Sequence, residues 1–153
     1  PTRIQKLKDG NYDAILLAKA GVDRLQLDLS EFHVEVLDPT VVIPAPAQGA
    51  LAIEIRENSK DIEEIINSLK DKETEIQVAA ERGFLDGING SCHIPIGAYC
   101  DVEGENISLT GLYGDEEGNN LITKTISGKA SEAREIGLQL AKLISKEYER
   151  YEG

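Results

Sequence analysis

Apolar residues fall along this chain in distinct rhythms, and each rhythm predicts a different kind of element. In "SEAREIGLQLAKLISKEYERY" (131–151), Ala133, Ile136, Leu140, Leu143 and Ile144 recur at helical spacing and predict a helix with one apolar stripe. Ile76, Ala80, Phe84 and Ile88 recur every four residues and predict another helix over 73–88. Shorter helices are expected over 2–9, with Thr2 as N-cap, and over 60–69, with Asn58 or Ser59 as N-cap. Alternation of apolar and polar positions predicts strands at 33–38, 50–56, 94–101, 106–113 and 120–126. "YDAILLA" (12–18) is a nearly continuous apolar run and reads as a buried strand, followed by a short helix or turn over 19–27.

The breakers group these elements. Asp9-Gly10-Asn11 should stop the first helix, because Gly and Asn tolerate the left-handed conformation. Pro39, Pro44 and Pro46 make "PTVVIPAPAQGA" stiff and bar it from a central strand, so it reads as a crossing between domains. "EGEN" and "GDEEGN" carry turn chemistry between the last three strands and predict an antiparallel meander. The expected fold is thus α/β plus α+β. A helix–strand–helix piece of an α/β layer, too small to bury its own faces, precedes an α+β domain with a three-stranded antiparallel sheet and helices on one face.

Composition narrows the function. The 153 residues are 41% hydrophobic and 29% charged, ordinary for a globular protein, and no apolar run is long enough to span a membrane. A net charge of −12 argues against nucleic acid and against anionic membrane surfaces. It leaves acidic small ligands open, because a few arginines in a cleft override the global field locally. Two cysteines without a secretory signal point to free thiols in a reducing compartment, hence to the cytoplasm. Two His and two Cys without short spacing make a metal site improbable, and no metal is expected. The chain lacks Met and enters a helix almost at once, so it reads as a piece with further chain upstream.

Candidate chemistry centres on "GSCHIPIGAYC". Strand parity puts Ile94, Ile96, Ala98 and Cys100 on one face, which makes Cys100 a small core residue. Cys92 lies before that strand, in a loop, and spacing alone leaves it open between an inert thiol and a reactive one. His93 should point away from it, and an extended strand keeps the two cysteines too far apart for a disulfide. Arg3 and Arg24 sit at helix ends, where guanidinium forks suit carboxylates, and Gly21 would let a ligand approach the backbone. For both arginines a plain surface role stays open, and Gln48-Gly49, taken alone, reads as a hinge with a turn Gly.

Four segments occur together and in order: "TRIQKLKDGNYDAILLAKAGVDRL", "PAPAQGALAIEIR", "ETEIQVAAERGFL" and "GSCHIPIGAY". In these the sequence resembles the porphobilinogen deaminase (hydroxymethylbilane synthase) family over almost its whole length. The resemblance implies a transferase of tetrapyrrole and haem biosynthesis that joins four porphobilinogen units head to tail with loss of ammonia. The growing polypyrrole is carried on a covalent dipyrromethane, held by a thioether to the residue matching Cys92. A thiol can capture the electrophilic azafulvene formed when a pyrrolic methylamine loses ammonia, so the chemistry suits that position. The resemblance further implies that Arg3 and Arg24 hold substrate and cofactor carboxylates, that Gly21 is a backbone cofactor contact, and that Gln48 stands near the cleft. Ser91, Val22 and Ala47 depart from the family pattern without removing a side chain assigned to chemistry.

By the same resemblance, residues 1–43 match the later part of domain two, a periplasmic-binding-protein-like layer. Residues 44–60 match the crossing and a strand of domain one, and 61–153 the cofactor-attachment domain three. The catalytic Asp belongs to a preceding part. The expectation is therefore that this chain alone is inactive, that its Cys92 is a free thiol, that the parent is a monomer, and that the orphaned piece is open to self-association. The competing classes are a non-catalytic ligand-binding or regulatory module, and a thiol redox protein with a readily formed Cys92–Cys100 bond.

Overall fold

A computed structural model describes residues 2–88 and 94–152, the side chains of the last two apart. They fall into two compact units, 1–37 and 38–153. The first carries helices α1 (Thr2–Lys8) and α2 (Lys19–Arg24). The second carries α3 (Lys60–Asn67), α4 (Lys72–Ile88), strands β1 (Ile96–Glu103), β2 (Asn106–Tyr113) and β3 (Ile122–Lys129), a 3-10 turn, and α5 (Ala133–Glu152). No described helix is long and apolar enough to cross a membrane.

The α+β arrangement expected for the later part of the chain is present. The strands form an antiparallel sheet in the order β1-β2-β3, with Cys100 opposite Leu109 and Leu109 opposite Ile126. Adjacent strands joined by short turns need little loop-closure entropy, and Asp115 fixes the longer turn by accepting the backbone N–H of Asn119. Helices α4 and α5 pack on each other and on the sheet. Phe84, Leu109, Leu140 and Ile144 are the largest fully buried apolar side chains. The α4 stripe faces inward as its spacing predicts, Ala80, Phe84 and Ile88 being buried. Of the α5 stripe, Leu143 instead lies half exposed, one position round from the buried Ile144. The backbones of α4 and α5 touch, and a Cβ on Gly137 would stand 2.2 Å from the carbonyl oxygen of Ala80.

The strands expected at 12–18, 33–38 and 50–56 do not form. These segments join no sheet ladder, and the only strands among the described residues are β1, β2 and β3. An extended segment becomes a strand only when another pairs its N–H and C=O groups, and alternation cannot supply that partner. Their apolar side chains stay in solvent, Leu51 at 93% exposure and Leu16 at 77%. The cap expectations differ too. Thr2 lies inside α1, and Ser59 caps α3 by position without a side-chain bond.

Candidate functional site

In the first unit, α1 and α2 border an open pocket of about 330 Å³. Thr2, Arg3 and Ile4 line it from the start of α1, Gly21 and Val22 from α2, and Ala18 from the position just before α2. Gly10, with φ at 74°, ends the first helix as its sequence requires. The unit is tied together by an ion pair between Lys8 and Glu31, with the Lys8 ammonium 5.7 Å from the centre of the Phe32 ring. Hydrogen bonding to Glu31 and its charge hold the Lys8 ammonium above its ordinary range. The pocket is walled by Leu17, Val22, Leu25 and Leu27, with Arg3 as its one formally charged lining residue. It suits a ligand with an apolar body and an anionic edge. A Cβ on Gly21 would meet nothing within 4 Å, so the backbone there is open to an approaching group.

Arg3 and Gly21, 18 positions apart, are thus brought to one pocket. Arg24 is exposed in the last turn of α2 and is not part of that lining. Cys92 and His93 lie outside the described residues, in the connection between α4 and β1.

Gln48 belongs to the second unit and is exposed on a tight turn. Its backbone N–H donates to the Ala45 carbonyl at 3.0 Å, and its side-chain Oε1 accepts from the Ala45 N–H at 3.3 Å. Ala47 and Gly49 both have positive φ, 62° and 92°; for Ala47 that conformation costs about 1–2 kcal/mol. The turn is held from outside. β1 is an edge strand, and its outward N–H groups would be open to another chain. The Ala98 N–H donates instead to the Pro44 carbonyl at 2.9 Å. The Cys100 N–H donates to Glu81 Oε1 at 2.9 Å, and the other carboxylate oxygen accepts the Ala47 N–H at 2.7 Å. The chain passes so close that a Cβ on Gly97 would stand 2.9 Å from Ile43 Cγ2.

Glu81 is the feature that sequence reading missed. It is 7% exposed, and burial pushes its carboxyl above the ordinary range although both backbone donors favour the charged form. Its position was readable, since it lies three residues before Phe84 and seven before Ile88, on the buried side of α4. Cys100 is fully buried, as parity predicted, and burial pushes its thiol up to about 12, with the charges of Glu81 and Asp101 adding.

Comparison with known proteins now bears on these positions. Residues 1–64 match the family described as porphobilinogen deaminase, dipyromethane cofactor binding domain. Residues 75–146 match porphobilinogen deaminase, C-terminal domain. The porphobilinogen deaminase of Clostridioides difficile (strain 630) is 60% identical over 99% of this chain and 50% of its own length. That of Clostridium novyi (strain NT) is 44% identical over 95% of this chain and 49% of its own length. That of Bacillus cereus (strain G9842) is 44% identical over 95% and 47%. The chain spans about half the length of the curated relatives it matches. With both family descriptions matched in succession and such identity along nearly all its residues, this chain belongs to the porphobilinogen deaminase family.

Proposed function

We propose that this chain is part of a porphobilinogen deaminase, which joins four porphobilinogen molecules head to tail with loss of ammonia to give hydroxymethylbilane. The 60% identity to the Clostridioides difficile enzyme carries the reading. The pocket that gathers Arg3 and Gly21 supports it with chemistry.

The residues present fit a dipyrromethane. Its pyrrole rings need apolar walls and its acetate and propionate groups need cations, and the pocket offers Leu17, Val22 and Leu25 beside Arg3. Cys92 would hold the cofactor by a thioether. When bound, it supplies the nucleophilic ring carbon at which the chain is extended. Arg3 and Arg24 would bind the carboxylates of cofactor and substrate, Gly21 would leave the backbone open to it, and Gln48 would present a side chain at the cleft.

In this reading residues 1–43 are the later part of a periplasmic-binding-protein-like domain. Residues 44–60 are the crossing and a strand of another domain, and 61–153 the cofactor-attachment domain. The catalytic Asp belongs to the half of the relatives that this chain does not cover. The parent is a cytoplasmic monomer, in keeping with the free buried thiol of Cys100. The chain alone does not turn over porphobilinogen and is open to self-association through its exposed apolar segments.

The test is a fusion of the uncovered half of the Clostridioides difficile enzyme to this chain. The fusion should convert porphobilinogen to hydroxymethylbilane and carry a dipyrromethane mass that maps to Cys92. Cys92→Ser should abolish both. A folded fusion that forms no tetrapyrrole rules the reading out, and product from this chain alone rules out its inactivity.

A further inference from the structure

We propose that Glu81 is a positioning residue, whose buried carboxylate clasps the turn bearing Gln48 to strand β1 and so fixes Gln48 for its ligand. The role rests on the enzyme reading above; the clasp itself is geometric. Three features converge on it. Glu81 is buried, and both its oxygens are used, one on the Ala47 N–H and one on the Cys100 N–H. No cation pairs with it among the described residues. A buried, unpaired carboxylate is expensive, and an apolar side chain there would pack against the sheet at less cost. Yet a carboxylate can accept two backbone donors at once, one from the turn and one from β1, with one oxygen for each.

The second feature is Ala47 itself. A residue with a Cβ at φ 62° persists where its surroundings over-determine it, and the bond to Glu81 does so. The third is Gly97, whose missing side chain lets Ile43 and Pro44 lie against β1. The carboxylate and the Pro44–Ala98 bond therefore fix the crossing at two points, and Gln48 is the next residue after the clasped Ala47. β1 is also the strand into which the Cys92 connection leads. One joint thus references the Gln48 turn to the strand that follows the cofactor anchor.

Glu81→Gln keeps size and one acceptor but turns an amide donor toward a backbone donor. In this chain, amide exchange at Ala47 should accelerate about tenfold or more while α5 amides such as Leu140 keep their protection. Should Glu81→Gln unfold the chain, the wild type still decides. The ionisable groups that feel Glu81 are Tyr99 and Cys100 on β1, with Asp101 acting on both of them and Asp38 on Tyr99, and residues 43–47 carry none. The Ala47 and Cys100 amide shifts should therefore follow one shared acid titration, and separate midpoints overturn the clasp. In the fusion enzyme, Glu81→Gln and Gln48→Ala should each lower kcat/KM about tenfold, and the double variant should be no worse than the poorer single one. Unchanged Ala47 exchange overturns the proposal, as do effects that multiply to about a hundredfold. Full activity of Gln48→Ala overturns the positioning role. An inactive wild-type fusion refutes the enzyme reading instead, and Ala47 exchange still decides whether Glu81 holds the turn.

Discussion

Cys100 shows how far burial alone can silence a reactive group. Its thiol is pushed up to about 12, so at pH 8 roughly one molecule in ten thousand carries the thiolate, the form that reacts. In native protein a thiol reagent should therefore leave Cys100 unmodified until denaturation exposes it. Cys100→Ala should leave the native count unchanged, whereas fast modification of Cys100 would contradict its burial. Glu81 gives a pH signature of the opposite kind. Burial raises its folded value above 4.5, so the folded protein holds a proton that the unfolded chain has released. Its contribution to stability is fully present below the unfolded value and is lost as pH rises through the folded one. Denaturation from pH 4 to pH 7 should show the wild type losing stability relative to Glu81→Gln over that window. A constant difference would mean that the carboxyl is not buried. Cys100 was legible in the sequence because strand parity is a local rule. Glu81 was legible only as a residue on the buried side of α4; its clasp was not, because its two partners lie 34 and 19 positions away and no pattern along the chain announces them.

At the scale of elements, partner distance separates what was legible from what was not. The meander 96–129 could be read because each strand pairs with its sequence neighbour. Segments 12–18, 33–38 and 50–56 carry equally good strand patterns but have no neighbour to pair with. Helix α3 shows the same limit, since its spacing is amphipathic yet Ile62 and Ile65 remain exposed. The α4–α5 packing adds a constraint that periodicity never shows. A Cβ on Gly137 meets the α4 backbone, 2.2 Å from Ala80 O and 2.5 Å from Phe84 N, and backbone cannot swing aside. Gly137→Ala gains up to about 1 kcal/mol of helix propensity and loses about 1–3 kcal/mol to overpacking. The net loss should lower the melting temperature by several degrees, about 4–8 °C per kcal/mol in a domain of this size. A variant as stable as the wild type would show that the helices can part at little cost.

For the whole molecule, burial is divided sharply along the chain. Among the described residues, every buried hydrophobic one lies between Ala80 and Ile144, while Leu16, Val36, Leu51 and Ile53 are in solvent. A folded unit that buries its apolar face needs no further partner, whereas three strand-patterned segments with exposed apolar side chains do. The chain spans about half the length of its relatives, so in the proposed enzyme the uncovered half supplies those partners. Amide exchange tests this across the molecule. In this chain alone, the amides of α4, β1, β2, β3 and α5 should be protected, and residues 12–18, 33–38 and 50–56 should exchange almost freely, because their N–H groups join no ladder. In the fusion with the uncovered half, the same three segments should slow about tenfold or more while α4 and α5 stay as they were. The order of events also matters. Protection should arise in all three segments together if they join one completed structure, and separately if each finds its own partner. Segments that stay unprotected in an active fusion would show that the enzyme works without them as strands.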